Sequence, residues 1–246
     1  MCGIFGFLSN NESSNKLKKF CDFANQLQIH RGPDETGQFF DKNIGLSHTR
    51  LSIIDIEKGS QPLTDKKSGL TIIFNGEIVN YKQLKKDLNK SYQNFLTNHS
   101  DTEVILKLYE LYEDKCINYL QGMFSFAIWD ANKKKLFLAR DHLGIKPLYY
   151  CDTNYGFIFA SEIKTICEIK KKMLKIENSI NENLLNEYLV FGNIYGDQTL
   201  LKGICNLQAG HTLSIESEKK YFNKYWSPSK NIDDNLKNES ELNIVD

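Results

Sequence analysis

A succession of short apolar stretches in the second half of the chain constrains the fold most. Each stretch has the length and the aromatic or β-branched content of a strand; they are Phe124 to Trp129, Leu136 to Arg140, Pro147 to Cys151 and Phe157 to Ala160. The connections between them are of at most six residues. Parallel strands need a crossover of about a dozen residues. The sequence therefore predicts antiparallel pairing here.

Helical periodicity occupies other parts of the chain. Ser13 and Ser14 can cap a helix that Gly32-Pro33 ends, and Asp101 to Tyr112 follows a Ser100/Glu103 capping-box pattern. Shorter helices are predicted from about Asn80 and over Leu184 to Leu189, and further strands over Gly3 to Leu8, Gln38 to Phe40, Ile44 to Ile54, Leu70 to Phe74 and Thr212 to Ile215. Strands and helices do not alternate as in βαβ units. We expect an α+β fold with antiparallel sheet packed under helices, and no doubly wound nucleotide-binding fold.

Composition excludes several classes of function. The 31 basic and 31 acidic residues leave no formal net charge, which disfavours a nucleic-acid partner. No apolar run reaches the roughly 18 residues of a membrane helix, and no basic leader precedes the first strand, so neither membrane insertion nor export is expected. The six cysteines are scattered, without metal-ligand spacing to histidine. Reduced thiols and a cytoplasmic location are the simplest expectation.

Cys2 is the first candidate for chemistry. If Met1 is removed, this residue carries both a thiol and an α-amine. An α-amine has a pKa of about 7.7 to 8.0, which suits a general base at neutral pH. Nucleophile and base would then belong to one residue. Taken alone, the opposite interpretation is favoured, that Cys2 is a small apolar residue on a strand.

Asn75-Gly76 is the second candidate. After an apolar run, Asn-Gly is a strong signal for a hairpin turn. The flanks suggest a different arrangement, because Leu70 to Phe74 is a strand and the residues after Glu77 lead towards a helix. The pair would then lie at a strand end, where the asparagine amide and the glycine N–H are the two donors that an oxyanion hole requires.

Three charged residues are ambiguous individually. Arg50 lies inside an apolar run and is either an edge-strand arginine facing water or a fork for a carboxylate. Asp101 begins a predicted helix, where the dipole stabilises an acid in any protein. Glu77 has the simple interpretation of an exposed acid. A Cys2/His30 dyad is conceivable but has no local signature.

A set of motifs in fixed order is far more specific than these residues taken singly. The motifs are, in order, Met1-Cys-Gly-Ile-Phe-Gly6, His30-Arg-Gly-Pro-Asp-Glu-Thr-Gly37, Ser47-His-Thr-Arg-Leu-Ser-Ile-Ile-Asp55, Gln61-Pro-Leu63, Phe74-Asn-Gly-Glu-Ile78, Ser100-Asp-Thr-Glu103, Leu120-Gln-Gly-Met-Phe-Ser-Phe-Ala127, Arg140-Asp-His-Leu-Gly-Ile-Lys-Pro-Leu-Tyr149, Ala160-Ser-Glu-Ile-Lys164, Asn186-Glu-Tyr-Leu-Val-Phe-Gly192, Leu207-Gln-Ala-Gly210 and Tyr225-Trp226. Together they closely resemble the glutaminase domain of glutamine-hydrolysing asparagine synthetases, the class II amidotransferases of the N-terminal-nucleophile hydrolase superfamily. The resemblance spans about residues 2 to 226.

This resemblance implies a four-layer αββα sandwich and assigns roles to seven residues. Cys2 would be the nucleophile, and Asn75 with the Gly76 N–H would form the oxyanion hole. Arg50, assisted by backbone groups around Ile53, would hold the α-carboxylate of L-glutamine, and Glu77 and Asp101 would hold its α-ammonium. The reaction implied is hydrolysis of glutamine to glutamate and ammonia through a cysteine thioester, without metal or cofactor in this chain.

The resemblance also sets the expected domains and partners. Residues 1–215 are assigned to the amidotransferase domain, and residues 216–246 to a last strand and a tail. A complete asparagine synthetase continues into an ATP-pyrophosphatase domain that uses ATP and Mg²⁺, and its phosphate loop is absent from this sequence. A synthetase domain or subunit is therefore the expected recipient of ammonia. A catalytically silent glutamine- or partner-binding domain, a separate subunit serving another acceptor enzyme, and a homodimer remain open.

Overall fold

The computed structural model describes residues 1–10, 14–53, 55, 58–88, 95–97 and 100–228. Its strands are β1 (Gly3–Ser9), β2 (Glu35–Asp41), β3 (Ile44–Arg50), β4 (Leu63–Asp65), β5 (Leu70–Ile78), β6 (Gly122–Asp130), β7 (Lys135–Arg140), β8 (Tyr149–Thr153), β9 (Gly156–Ala160), β10 (Ile204–Asn206), β11 (His211–Glu216) and β12 (Lys219–Lys224). The α-helices are α1 (Ser14–Gln28), α2 (Tyr81–Leu88), α3 (Asp101–Tyr112), α4 (Ile163–Glu168) and α5 (Leu185–Phe191).

The strands form two six-stranded sheets. The first has the order β10-β8-β9-β1-β3-β2 and the second the order β12-β11-β7-β6-β5-β4. Every pairing within them is antiparallel. The prediction of antiparallel sheet from the short connections is thus confirmed.

Three apolar cores separate four layers. Along β1, Ile4 faces the core between the two sheets, whereas Phe5 and Phe7 face the core beneath α1 and α4. Along β5, Ile73 faces the inter-sheet core, whereas Ile72 and Phe74 face the core beneath α2 and α3. Alternate residues of a strand point to opposite faces, so both faces of each sheet are covered. The α+β prediction, with four αββα layers, is confirmed.

The predicted end of the strand at Phe74 is wrong, as is a hairpin turn at Asn75-Gly76. β5 continues to Ile78, and Asn75 and Gly76 pair with Ser125 and Phe124 of β6. This pairing with a strand almost fifty residues away overrides the local turn signal. The two proposed donors therefore belong to a continuous strand.

Two other local predictions also differ from the structure. β3 ends at Arg50, and Ile54, where the predicted strand ended, lies outside the described residues. The Ser100 side chain makes no capping bond to α3. Instead the Glu103 carboxylate accepts the backbone N–H groups of Leu96 and Thr97, at 2.6 and 2.7 Å. These bonds attach the 95–97 segment to α3.

The last strand of the described chain is β12, and four further residues, 225–228, follow it. β12 pairs with β11 along the edge of the second sheet, and residues 229–246 lie outside the description. The predicted domain boundary at residue 215 stays a prediction. Among the described residues, no helix is both long enough and apolar enough to cross a membrane.

Candidate active site

A pocket of about 250 Å³ opens where the ends of β1 and β3 meet the end of β5. This is below the roughly 300 to 1,000 Å³ of pockets for drug-sized ligands, and so suits a small metabolite. All seven residues predicted for the site line it: Cys2, Arg50, Ile53, Asn75, Gly76, Glu77 and Asp101. The fold therefore brings together candidates that are spread over one hundred residues of sequence.

Cys2 directly precedes β1 and is half-buried. Its Sγ lies 3.4 Å from the backbone nitrogen of Leu51 and 3.8 Å from the Leu51 carbonyl oxygen. Burial raises the pKa of the Cys2 thiol, although the Leu51 N–H and the nearby cations Arg50 and Arg31 act in the opposite direction. The resting thiol is therefore protonated at neutral pH, and a base is needed to activate it.

Arg31 is a second contact of Cys2 that sequence reasoning missed, since its motif was interpreted as a helix stop. The Arg31 Nε–H donates to the Cys2 carbonyl oxygen at 3.0 Å, and its Nη1 lies 3.0 Å from the Glu162 carboxylate. His30 also contacts Glu162, at 2.9 Å, rather than Cys2. Arg31 thereby fixes the backbone of the proposed nucleophile. The signal available in the sequence was the Ala160-Ser-Glu162 motif, whose acid is the partner of Arg31.

Arg50 ends β3, an interior strand between β1 and β2, and only 5% of it is exposed. The interpretation of Arg50 as an edge arginine facing water is therefore wrong. One terminal nitrogen contacts Glu35 at 3.0 Å and the other donates to the Asp55 carbonyl at 2.8 Å. The neighbouring Ile53 is 74% exposed at the pocket rim. A guanidinium held in this way is preorganised towards a carboxylate.

Glu77 and Asp101 place two carboxyl groups on another side of the pocket. Glu77 is exposed at the end of β5, whereas Asp101 is 4% exposed at the start of α3. Asp101 Oδ2 accepts the Ile78 N–H at 3.1 Å. Burial raises the pKa of Asp101 to about 6, and the negative charge of Glu77 adds to the increase. A cation bound between these acids would offset both effects.

The Asn75 side chain carries an unpartnered donor. Asn75 is 1% exposed, and its Nδ2 has no hydrogen-bond partner in the part of the chain that the structure describes. Leaving such a buried donor unsatisfied costs about 1 to 3 kcal/mol. Since the residue lines the pocket, a bound oxygen atom could satisfy it.

The register of β5 shows where the Gly76 N–H points. Gly76 is opposite Phe124, whose N–H donates to the Asp141 carboxylate and whose carbonyl accepts the Asp141 N–H. Phe124 thus directs both backbone groups away from β5, and in an antiparallel ladder its partner does the same on the other side. The Gly76 N–H therefore faces away from β6, towards the pocket edge. A Cβ on Gly76 would lie 2.2 Å from the Met123 carbonyl oxygen, so the close approach of the strands requires glycine.

His48 connects the two sheets behind the pocket. It is fully buried, and its Nε2 lies 3.0 Å from the Phe74 carbonyl oxygen. A carbonyl only accepts, so the Nε2 atom carries the proton. Burial lowers the pKa of His48 to about 4, which keeps the ring neutral at physiological pH. This bond ties the strand of Arg50 to the strand of Asn75.

The arrangement complements a zwitterion with a neutral reacting group. One guanidinium, two carboxyl groups, a thiol and two neutral donors surround one small volume. The Lys146 side chain, which the sequence analysis left without a role, also lines it. Within the described residues, no three His, Cys, Asp or Glu side chains cluster as metal ligands would.

Comparison with known proteins matches residues 1–226 to the glutamine amidotransferase domain. The chain belongs to this family. The resemblance noted in the sequence is thus confirmed at the family level, over a range that contains both sheets and all seven pocket residues.

The amidotransferase domain has curated relatives among asparagine synthetases. It is 35% identical to asparagine synthetase [glutamine-hydrolyzing] 1 of Bacillus subtilis, over 100% of this chain and 39% of the relative. It is 39% identical to asparagine synthetase B of Escherichia coli, over 69% of this chain and 30% of the relative. The amidase chry2 of Gibberella zeae is 30% identical over 98% of this chain and 37% of the relative. The chain therefore spans less than two fifths of the length of these relatives.

A solved structure supports the fold. The glutamine phosphoribosylpyrophosphate amidotransferase of Bacillus subtilis superposes on 92% of this chain and 49% of its own, with a TM-score of 0.63 at 20% identity. At this identity the match reports architecture alone. The two antiparallel sheets of the amidotransferase domain are therefore shared with a solved amidotransferase.

Proposed function

We propose that this amidotransferase domain hydrolyses L-glutamine to L-glutamate and ammonia, with Cys2 as nucleophile. The observation that supports this most directly is that Cys2 and Asn75, whose Nδ2 has no partner among the described residues, line one pocket together with the Arg50 guanidinium and two acids. The α-carboxylate of glutamine pairs with Arg50, assisted by backbone groups around Ile53. Its α-ammonium lies between Glu77 and Asp101. Neither metal nor cofactor takes part in this half-reaction.

The proposed reaction begins once Met1 is removed. The α-amine of Cys2 accepts the thiol proton, and the sulfur attacks the side-chain amide carbon of glutamine. The resulting oxyanion accepts hydrogen bonds from Asn75 Nδ2 and the Gly76 N–H. The amine returns the proton to the departing nitrogen, and the C–N bond breaks to release ammonia and leave a thioester. Water then cleaves the thioester, giving glutamate and the free thiol.

Glutamate release by the purified chain, with its intact mass recorded in the same sample, tests this proposal. We expect turnover only in the population that has lost Met1. Cys2→Ala should abolish turnover, and an uncleaved extension ahead of Cys2 should do the same while leaving the thiol in place. Full activity of the extended protein would mean that the amine is not the base. Binding of glutamine without turnover by the processed wild type would favour a catalytically silent domain.

The ammonia-accepting partner is part of the same proposal. The feature that supports such a partner is α5, none of whose residues is buried. Its side chains Leu189, Val190 and Phe191 are 71%, 73% and 64% exposed. Next to it, the 193–196 segment faces Leu143 and Gly144 across an open cleft, and that loop continues to Lys146 in the active-site pocket. We assign this apolar face to the partner that receives ammonia.

The relatives suggest which reaction consumes the ammonia. Several of them are named glutamine-hydrolysing asparagine synthetases, so we propose that this domain supplies ammonia for asparagine synthesis when joined to a synthetase domain or subunit. That domain would use ATP and Mg²⁺. A cytoplasmic location, to which the free cysteines are suited, completes the proposal.

A further inference from the structure

The edge of β5 that faces the pocket is covered only in part by another strand. β4 pairs with β5 from Leu70 to Ile72, and β6 occupies the opposite side along the full length of β5. Since the Gly76 N–H points away from β6, the two-residue period of a strand directs the N–H groups of Phe74 and Ile78 the same way. Three backbone donors therefore face a part of the edge that has no strand beside it in the described segments of the chain.

Two of these three donors are bound by side chains. Gln61 Oε1 accepts the Phe74 N–H at 2.6 Å, and Asp101 Oδ2 accepts the Ile78 N–H at 3.1 Å. Gly76 lies between them. The Gly76 N–H is thus presented to the pocket, whereas the N–H groups of Phe74 and Ile78 are already bound by side chains of the protein.

Gln61 also reaches the helix that carries Asp101. Its Nε2 donates to Thr102 Oγ1 at 3.4 Å, in the first turn of α3. The orientation of the amide is determined by its contacts, because a backbone N–H requires an acceptor and so the atom facing Phe74 is the oxygen. One side chain therefore links the strand of the oxyanion donors to the helix of the ammonium-binding acid.

The surroundings of Gln61 hold this link in place. Gln61 is 8% exposed, and Thr102 is 3% exposed. The backbone of Gln61 packs so closely on β2 that a Cβ on Gly37 would lie 1.9 Å from the Gln61 carbonyl oxygen. Neither end of the link can shift without disturbing packed structure.

We propose that Gln61 is a positioning residue, which sets the distance between the oxyanion donors on β5 and the ammonium-binding end of the pocket on α3. This rests on the proposed function. The distance determines which amino-acid amide fits, because glutamine separates its ammonium from its carboxamide by one methylene more than asparagine does. Gln61 therefore contributes to turnover and to the choice of glutamine over asparagine.

The test compares steady-state kinetics of Gln61→Leu with those of wild type, on glutamine and on asparagine. A misplacement of about 1 Å can cost about 10²-fold in rate, so we expect kcat on glutamine to fall by roughly 10- to 100-fold and KM to rise. The ratio of kcat/KM for glutamine over asparagine should fall by about tenfold, within the range that one methylene contributes. A role in stability alone would not change this ratio.

Two further variants separate the two ends of the link. Gln61→Glu keeps an acceptor for the Phe74 N–H and another for the Thr102 hydroxyl, so it should retain kcat within about threefold. Thr102→Val cuts only the link to α3, so KM should rise several-fold while kcat stays within about twofold. Gln83→Leu, the same chemical change on the exposed face of α2, is the matched control and should behave as wild type.

The outcomes distinguish the proposals. Wild-type kinetics and selectivity in a folded Gln61→Leu protein would overturn the positioning role. If Gln61→Leu does not fold, unchanged KM in Thr102→Val would overturn it instead. A processed wild type that releases no glutamate would overturn the proposed function itself, which the Gln61 variants alone cannot do.

Discussion

Among the described residues, two surfaces lack a neighbouring element, the pocket edge of β5 beyond its pairing with β4 and the outer face of α5, yet their chemistry is opposite. Along β5, buried side chains bind the flanking donors and leave the groups of Asn75 and Gly76 for the pocket. Along α5, apolar side chains are exposed, and none of the seven residues is buried.

The difference shows what each surface can recognise. Single polar atoms at fixed positions discriminate a small polar ligand, because each unsatisfied buried group costs free energy. An exposed apolar face gains free energy from burial of area and depends little on single atoms. Substitutions on β5 should therefore have large effects on turnover, and substitutions on α5 almost none.

The largest effect is expected for Gly76→Ala. The added methyl would lie 2.2 Å from the Met123 carbonyl oxygen and 2.7 Å from Phe124 Cα, so β5 and β6 must move apart. We expect loss of detectable glutamate release and a fall in the free energy of unfolding of about 1 to 3 kcal/mol. Thermal unfolding and turnover measured together check this. If Gly76→Ala retained a tenth of the wild-type activity, turnover would not depend on the close spacing of β5 and β6.

Asn75→Ala should have the next largest effect. Removal of one oxyanion donor typically lowers turnover by about 10² to 10³-fold. Because the lost Nδ2 has no partner among the described residues, stability should fall little or even increase. The matched control is Asn10→Ala, an exposed residue directly after β1. If the activity of Asn75→Ala stayed within twofold of wild type, Asn75 would not be an oxyanion donor.

A pH dependence of glutamine binding should be the third largest effect. Burial and the neighbouring charge of Glu77 raise the pKa of Asp101 to about 6 in the free protein, and Asp101 must be ionised to pair with an ammonium. Binding should therefore be pH-independent above about 6 and weaken by up to about tenfold per unit below it. Calorimetry on Cys2→Ala isolates binding from chemistry. Asp101→Asn should bind weakly at all pH values, and an unchanged pH profile in that variant would assign the dependence to another group.

The smallest effect on turnover is expected on α5. The double substitution Leu189→Ser and Val190→Ser should leave glutamate release by the isolated domain within twofold. It should lower the binding of an apolar dye and any concentration-dependent association seen by sedimentation, because these residues are more than 70% exposed. A wild type that binds no dye and does not associate would argue against α5 as a docking face, and a defined dimer that the substitutions abolish would assign the face to a second copy.

Much of the architecture could be predicted from local sequence. The short connections after Phe124 required antiparallel strands, and the stripe of apolar residues over Asp101 to Tyr112 matched α3. The course of β5 through Asn75-Gly76 could not be predicted from local propensity, because that dipeptide is a turn signal and the pairing with β6 is long-range. The set of site residues was predicted from the family motifs and not from the periodicity of the sequence.

The residues missed at the site share one property. Gln61, Arg31 and His48 act through contacts with segments distant in sequence: Phe74, Glu162 and Phe74 again. A polar side chain beside an apolar run has an ordinary explanation on the surface, and only the fold shows that it is buried. Long-range polar contacts of this kind carry no periodic signal that would reveal them.

The pocket takes Cys2 and Arg50 from one sheet and Asn75, Gly76 and Glu77 from the other, with the inter-sheet core between the two sets. The packed side chains of that core therefore set the distance between the attacking sulfur and the amide that receives the oxyanion. A core substitution far from the pocket that changes the separation of the two sheets by a few tenths of an ångström should therefore lower the turnover rate before thermal unfolding shows a loss of stability.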